Sequence, residues 1–206
     1  MTAPAVSRVA PCGDRALLLD CPDPPAVADA IRLQVIDGVV EVVPGATTVL
    51  VRHDASVDPA RLARLLTSVV PAERTPDAAT TVTIEVRYDG PDLGDVADLA
   101  GLSRETVVAL HQASSLEVAF CGFSPGFAYL RGIDPRLHVP RLSTPRTRVP
   151  AGSVAVADVW SAVYPRESPG GWQLLGTTTA VLWDERVDPP ALLTPGTRVR
   201  FVAVTP

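Results

Sequence analysis

The first third of the chain alternates between two hydrophobic periods, which predicts short strands and short helices in turn. Apolar residues recur at every third or fourth position, as on one face of a helix, at Val27, Ile31 and Val35 and again from Leu62 to Val69. Elsewhere the apolar runs are short, or alternate with polar residues, as in strands. The predicted elements are strand 15–19, helix 24–35, strands 39–43 and 47–52, helix 58–70 and strand 80–87. This β-α-β-β-α-β order is typical of a ferredoxin-like sandwich.

From residue 92 onward the pattern changes, because two short helices are followed only by strands and turns. Helices are predicted over 92–100, which Gly101 ends, and over 103–111, which Ser103 begins as the N-cap. Strands are predicted over 116–122, 153–157, 173–175, 179–183 and 198–204. Gly and Pro recur at short spacing between these strands, which is typical of a β-barrel or a β-sandwich.

A stretch rich in Pro, Ala and Thr over 71–80 separates the two patterns and predicts a linker. The 206 residues are enough for two small domains, each with its own core. The sequence therefore predicts an α+β protein. A small α+β domain with a ferredoxin-like sandwich spans 1–85, and a second domain, a β-barrel or a β-sandwich, spans 86–206.

Composition and charge narrow the classes of function. Of the residues, 47% are apolar and 20% charged, as in a folded globular protein, and the net charge of −5 argues against nucleic acid or an anionic membrane as the main partner. All 18 basic residues are arginine, which excludes a lysine Schiff base and a P-loop lysine. There is no run of about 18 apolar residues and no signal pattern. Three cysteines without metal-ligand spacing indicate reduced thiols, a cytoplasmic location and no metal site.

Two Ser-Pro-Gly turns followed by aromatic residues suggest a pocket in the second half of the chain. Such turns can bring backbone N–H groups close to a ligand, and the arginines between them suit a carboxylate or phosphate. The alternatives are ordinary tight turns, and arginines that are solvated or paired with Asp134 or Glu167. The candidate ligand-binding residues are Phe123, Pro125, Gly126, Phe127, Tyr129, Arg141, Arg146, Arg148, Pro150, Gly152, Ser153, Tyr164, Ser168, Pro169, Gly170, Gly171 and Trp172, together with His111.

Acid–base chemistry has few candidates in this sequence. His111 shares a helical face with Val107, so a packed histidine bonded to a backbone carbonyl is one interpretation, and general acid–base work is the other. His53 and His138 are predicted at the surface. Ser153 has no assignable Asp–His pair. No catalytic residue is therefore assigned.

Several long motifs resemble one family across nearly the whole chain. They are G-D-R-A-L-L-L-D (13–20), V-P-G-A-T-T-V-L-V (43–51), F-S-P-G-F-A-Y-L (123–130), P-R-L-S-T-P-R-T-R-V-P-A-G-S-V (140–154), Y-P-R-E-S-P-G-G-W (164–172) and D-P-P-A-L-L-T-P-G-T-R-V-R-F (188–201). The family has three names in use: the B-type subunit of 5-oxoprolinase, allophanate hydrolase subunit 1 and KipI-like kinase inhibitor. The resemblance implies a cyclophilin-like β-barrel after a small α+β domain.

The resemblance also implies a function. It points to an ATP-dependent amidohydrolase that opens 5-oxoproline to glutamate. The implied companion is of the allophanate hydrolase subunit 2 type, equivalent to the C-type subunit of 5-oxoprolinase, and the ATP is shared with the partner subunits. The implied alternatives are a subunit of urea or allophanate metabolism and a binding module that inhibits a sensor histidine kinase.

Two positions depart from the pattern of the resembled family. Trp160 stands where the family usually has a glutamine, and Thr177 stands where it usually has an arginine. If Trp160 lines the pocket, its bulk alters ligand specificity. A structural subunit with an inactive pocket is the further alternative that these departures suggest.

Overall fold

The computed structural model describes residues 5–71 and 81–204, which fall into two compact units, Met1–Asp77 and Ala78–Pro206. The strand Thr81–Val86 belongs to the second unit, because all six of its residues pair in parallel with the strand Arg198–Ala203. The sequence-based boundary after residue 85 therefore lies one strand later than the division seen in the structure.

The first unit packs two helices against an antiparallel sheet. Its elements are β1 (Arg8–Pro11), β2 (Ala16–Asp20), α1 (Pro24–Leu33), β3 (Val39–Pro44), β4 (Thr48–His53) and α2 (Pro59–Thr67), with the strands in the order β1-β2-β4-β3. Aspartate side chains cap both helices: Asp23 accepts from the N–H of Ala26, and Asp58 accepts from that of Ala60. The predicted β-α-β-β-α-β order differs from this one. It omits β1 and ends on the strand 80–87, which lies in the other unit.

Two sequence predictions for this unit are wrong. Val35 does not continue the apolar face of α1, because the helix ends at Leu33 and Val35 is 82% exposed with φ of 44°. His53 is not at the surface. It is 4% exposed, and its Nδ1 lies 2.9 Å from the carbonyl oxygen of Asp54.

The second unit is built on a seven-stranded sheet that nearly closes on itself. Its elements are β5 (Thr81–Val86), α3 (Leu93–Ala100), α4 (Arg104–Ala113), β6 (Leu116–Cys121), β7 (Ala128–Arg131), a 3₁₀ turn (Pro135–Leu137), β8 (Arg146–Val149), β9 (Ser153–Ala157), β10 (Trp160–Val163), β11 (Ser168–Gly170), β12 (Gln173–Thr177) and β13 (Arg198–Ala203). The order in the sheet is β12-β9-β10-β7-β6-β13-β5, and β8 pairs with β11 separately. Arg87 and Thr177 exchange two backbone hydrogen bonds of 2.8 Å, which join the two ends of the sheet.

This arrangement confirms the predicted α+β class and the predicted barrel. The interior of the barrel is filled by branched and aromatic side chains that alternate along the strands, among them Val118, Leu130, Val156 and Phe201, all at most 1% exposed. The predicted strand 179–183 is wrong, since in this described stretch only Trp183 makes an isolated bridge, with Ala191.

Candidate functional site

The two Ser-Pro-Gly loops of the second unit meet at a small aromatic recess. The first loop follows β6 and the second forms β11 and the turn into β12, so the barrel holds both. The recess has a volume of about 90 Å³. It is lined by Phe123, Phe127, Tyr129, Arg141, Tyr164, Pro169, Gly170, Gly171 and Trp172. All nine were among the residues that the sequence singled out, and the structure brings them together.

Phe127 lies at the centre of the aromatic wall. Its ring makes edge-to-face contacts with Tyr129, Tyr164 and Trp172, at centroid distances of 5.0, 5.4 and 5.7 Å. Phe127, Tyr164 and Trp172 are each at most 4% exposed, so their orientations are fixed by packing. The recess is therefore preformed, and it offers aromatic faces and edges to a small planar ligand.

Gly170 is a glycine because Tyr164 leaves no room for a side chain. A Cβ at Gly170 would lie 2.3 Å from the Tyr164 hydroxyl oxygen and 2.9 Å from its Cζ. At the neighbouring Gly171 a Cβ would lie 3.6 Å from Pro145, which is an ordinary contact. Burial raises the pKa of Tyr164, and a hydrogen bond with the backbone of Trp172 acts in the opposite direction.

Arg141 is the one cationic side chain among the described residues that line the recess. Its backbone is fixed on both sides, because the carbonyl of Pro140 accepts from Gln173 Nε2 at 3.1 Å and the N–H of Leu142 donates to the Gly171 carbonyl at 2.7 Å. These bonds place the guanidinium over the ring of Trp172, with 5.7 Å from its Cζ to the ring centroid.

The other two arginines of the predicted anion-binding patch lie outside the recess. Arg146 donates to Asp92 at 2.5 Å, and the second oxygen of this buried carboxylate accepts from the N–H of Leu174 at 2.7 Å. Arg148 forms a two-pronged bond with Glu167, at 3.0 and 2.9 Å, which is the alternative that the sequence left open. Two of the three guanidinium groups are therefore paired with carboxylates, and of the three arginines it is Arg141 that lines the recess.

His111 does not reach the recess either. It is 0% exposed and stacks on Phe201 inside the barrel. Its Nδ1 lies 2.8 Å from the Tyr88 hydroxyl and its Nε2 lies 2.9 Å from Ser161 Oγ, so its partners are two side chains and not a backbone carbonyl. Ser161 Oγ in turn donates to the Ala155 carbonyl at 3.2 Å.

The directions of these bonds fix the state of the imidazole. Because the Ser161 proton goes to a carbonyl, its oxygen accepts from Nε2–H, and Nδ1 accepts from the Tyr88 hydroxyl. Burial lowers the pKa of His111 to about 3, in keeping with a neutral ring. Ser161 and His111 stand at the distance of a nucleophile and its base, but Ser161 is fully buried and cannot meet a substrate.

The remaining candidate residues form hydrogen bonds or packing contacts within loops and turns. Ser153 Oγ donates to the Pro150 carbonyl at 2.8 Å, and between them Gly152, with φ of 78°, approaches the Thr178 carbonyl too closely for a side chain. Gly126 packs in the same way against Trp183 and the Leu182 carbonyl. The other two are Pro125, which is exposed, and Ser168, which pairs with Val149 in the two-stranded sheet.

Trp160 and Thr177 also lie outside the recess lining. Trp160 sits edge-on to Tyr129 and Phe120, with centroid distances of 6.0 and 5.3 Å, so it supports a wall residue from behind. Thr177 bonds to Asp89 at 2.9 Å where the sheet closes. Within residues 5–71 and 81–204, no group of three or more His, Cys, Asp or Glu side chains could hold a metal ion. No helix among these residues is long and apolar enough to cross a membrane.

Comparison with known proteins identifies sequence relatives over nearly the full length. The family model described as carboxyltransferase domain, subdomain C and D, matches residues 7–193. The B-type subunit of 5-oxoprolinase from Escherichia coli O157:H7 is 40% identical over 202 residues, covering 92% of this chain and 93% of that protein. The B-type subunit of 5-oxoprolinase from Haemophilus influenzae is 35% identical over 206 residues, covering 95% of this chain and 97% of that protein.

Solved structures share the fold. The crystal structure of TTHA0988 superposes with a TM-score of 0.77 at 38% identity over 93% of this chain, which spans 40% of the length of that longer chain. The urea amidolyase of Kluyveromyces lactis has a TM-score of 0.74 at 21% identity, over 98% of this chain and 16% of that chain. At that identity the second likeness concerns the fold alone.

Proposed function

Because this chain belongs to the carboxyltransferase domain, subdomain C and D, family, we propose that it is the B-type subunit of an ATP-dependent 5-oxoprolinase and that its recess binds the substrate. Relatives of 35% and 40% identity that cover more than nine-tenths of the chain are named as this 5-oxoprolinase component. The observation that carries the proposal is the recess itself, an aromatic box of about 90 Å³ with one guanidinium at its rim. Pockets for drug-sized ligands are roughly 300–1,000 Å³, so this one suits a ligand of a few atoms such as a five-membered lactam.

The recess does not fit a nucleotide. Its volume is far too small for a nucleoside triphosphate, and Arg141 is the single cation in the part of its lining that the structure describes. In this proposal ATP is bound by a companion of the allophanate hydrolase subunit 2 type, the C-type component of 5-oxoprolinase. The longer chain of TTHA0988, which contains this fold in 40% of its length, supports an arrangement in which further polypeptide stands beside it.

The recess residues hold and orient the lactam. The rings of Trp172 and Tyr129 offer surfaces on which a small ring can pack, and burial of the wall excludes water from one side. The neutral hydroxyl of Tyr164 can donate to the amide oxygen, which stabilises negative charge that develops there when the amide is activated. The nine described residues of the lining include neither a carboxylate nor a histidine. The general base of the reaction is therefore assigned to the companion subunit.

Turnover by the assembled enzyme tests the proposal. The chain is co-purified with its companion subunits, and ATP hydrolysis is measured with 5-oxoproline, allophanate or urea. We expect hydrolysis that depends on 5-oxoproline and on this chain. Hydrolysis that depends on urea or allophanate instead would assign the subunit to that metabolism. A stable assembly that turns over none of the three contradicts the proposal, and capture of a sensor histidine kinase in place of a companion subunit would favour a binding module.

A further inference from the structure

The charge of Arg141 is only loosely satisfied by the residues that the structure describes. Its Nε lies 3.6 Å from Asp158 Oδ2, beyond hydrogen-bond distance, and both side chains are more than half exposed, at 55% and 58%. Exposed ion pairs of this kind contribute little to the stability of the fold, because water and salt screen the two charges. Arg146 and Arg148, in contrast, each donate directly to a carboxylate at 2.5 to 3.0 Å.

The position of Arg141 is nevertheless well fixed. The residues before and after it are hydrogen-bonded to the segment that carries Trp172, through Gln173 Nε2 and the Gly171 carbonyl. The guanidinium lies over the indole, which leaves its edge directed to other partners. Arg141 is therefore a cation held in place at the rim of an aromatic recess, and the described residues do not take up its hydrogen-bond donors. This arrangement suits the binding of an anion.

Asp158 stands beside Arg141 in an uncommon backbone conformation. It occupies the turn between β9 and β10 with φ of 52°, and its N–H donates to the Val139 carbonyl at 2.7 Å. Aspartate and asparagine tolerate this left-handed region better than most residues. Its carboxylate is held near the guanidinium without bonding to it, so that it competes with any incoming anion.

We infer that Arg141 recognises a carboxylate on the ligand, in competition with Asp158, and thereby selects anionic small amides over neutral ones. This inference rests on the proposed function, since it assumes that the recess is the substrate site. A lactam ring that packs against Trp172 brings the carboxylate, which is on the ring carbon next to the nitrogen, to the rim where Arg141 lies. Gln173, which is buried and holds the Pro140 carbonyl, acts as a positioning residue for Arg141.

The test compares two ligands that differ only in the carboxylate. The assembly of this chain with its companion subunits is titrated calorimetrically with 5-oxoproline and with 2-pyrrolidinone, which has the same ring without the acid group. Arg141→Gln is expected to weaken binding of 5-oxoproline about tenfold or more, as for loss of a charged hydrogen bond, and to leave 2-pyrrolidinone unchanged. Asp158→Asn is expected to strengthen binding of 5-oxoproline about two- to fivefold.

Arg148→Gln is the matched control. It removes the same charge from strand β8, outside the recess, and should change neither affinity. If the wild-type assembly binds both ligands equally, or if Arg141→Gln weakens both to the same degree, the inference is overturned while the proposed function stands. If the wild type binds no carboxylate-bearing amide, both are overturned.

Discussion

The second unit contains two clusters of polar and aromatic side chains that differ in how completely they are satisfied. In the barrel interior, Tyr88, His111 and Ser161 form a continuous chain of hydrogen bonds that ends on a backbone carbonyl. At the recess, Arg141 has a distant ion pair with Asp158, and an aromatic wall surrounds about 90 Å³ of space. Both clusters contain residue types that enzymes use, but His111 and Ser161 are 0% exposed, whereas the recess is open to a ligand.

This difference shows that the types of residue present are not enough to identify a ligand-binding site. The Ser161–His111 pair has the spacing of a catalytic pair, yet every donor and acceptor in it is used inside the protein, and burial lowers the pKa of the imidazole and keeps it neutral. Such a network rigidifies the core. A binding site instead keeps donors available to a ligand, as Arg141 does at the rim of the recess. The comparison makes opposite predictions for the two clusters: changes in the first alter stability, and changes in the second alter ligand affinity.

The largest expected effect is a loss of stability when His111 is removed. His111→Ala leaves a cavity beside Phe201 and removes one hydrogen-bond partner each from Ser161 Oγ and the Tyr88 hydroxyl, which should cost about 3–5 kcal/mol of unfolding free energy. Urea denaturation followed by tryptophan fluorescence measures this, since all three tryptophans lie in the second unit. His138→Ala, at an exposed histidine, is the control and should change stability by less than about 0.5 kcal/mol. A His111→Ala protein of normal stability and impaired binding would reverse the assignment.

Acid should destabilise the second unit through the same residue. The folded pKa of His111 is lowered to about 3 from the ordinary 6.5, so the unfolded chain takes up a proton first as the pH falls. The stabilisation is fully present above pH 6.5 and declines below it by about 1.4 kcal/mol per pH unit, or about 2–3 kcal/mol by pH 4.5. Denaturation midpoints at pH 7, 5.5 and 4.5 measure the slope. His111→Gln, which cannot titrate, should flatten it, and an unchanged slope in that variant would contradict the account.

The recess is tested by two adjacent glycines. Gly170→Ala forces a methyl group into the Tyr164 ring, which is 2% exposed and cannot move aside, and should weaken 5-oxoproline binding about tenfold with a stability cost of about 1–3 kcal/mol. Gly171→Ala makes an ordinary contact and should bind within about twofold of wild type. Calorimetry on the assembly compares the two, and equal behaviour of both variants would mean that the shape of the recess does not govern binding.

The smallest effect is expected at Trp160. It touches Tyr129 from outside the recess, so Trp160→Phe should change affinity for 5-oxoproline by less than about threefold and stability by about 1 kcal/mol. The same titration checks this. A loss of tenfold or more would place Trp160 in direct contact with the ligand.

The sequence predicted those parts of the site that depend on local chemistry. The Pro-Gly turns, and the aromatic residues after them at Phe127 and Trp172, are local signals, and the structure places both in the recess. The roles of Arg146 and His111 depended on partners far along the chain: Asp92 lies 54 residues before Arg146, and Ser161 lies 50 residues after His111. Spacing in a single sequence carries no information about such pairs.

The fold shows the same division between local and distant determinants. Helices α1 and α2 begin within one residue of the predicted positions, because the prolines and capping aspartates that start a helix act within its first turn. The strand Thr81–Val86 was correctly predicted as a strand and assigned to the wrong sheet, because its partner Arg198–Ala203 lies at the far end of the chain. Its alternation of apolar and polar residues suits either sheet.

A crystal of the assembled enzyme with bound 5-oxoproline would test whether the recess is the substrate site. We expect electron density for the lactam ring against Trp172 and Tyr129, with its carboxylate within hydrogen-bond distance of the Arg141 guanidinium. Density for the ligand at any other position on the assembly, with the recess empty, would contradict this expectation.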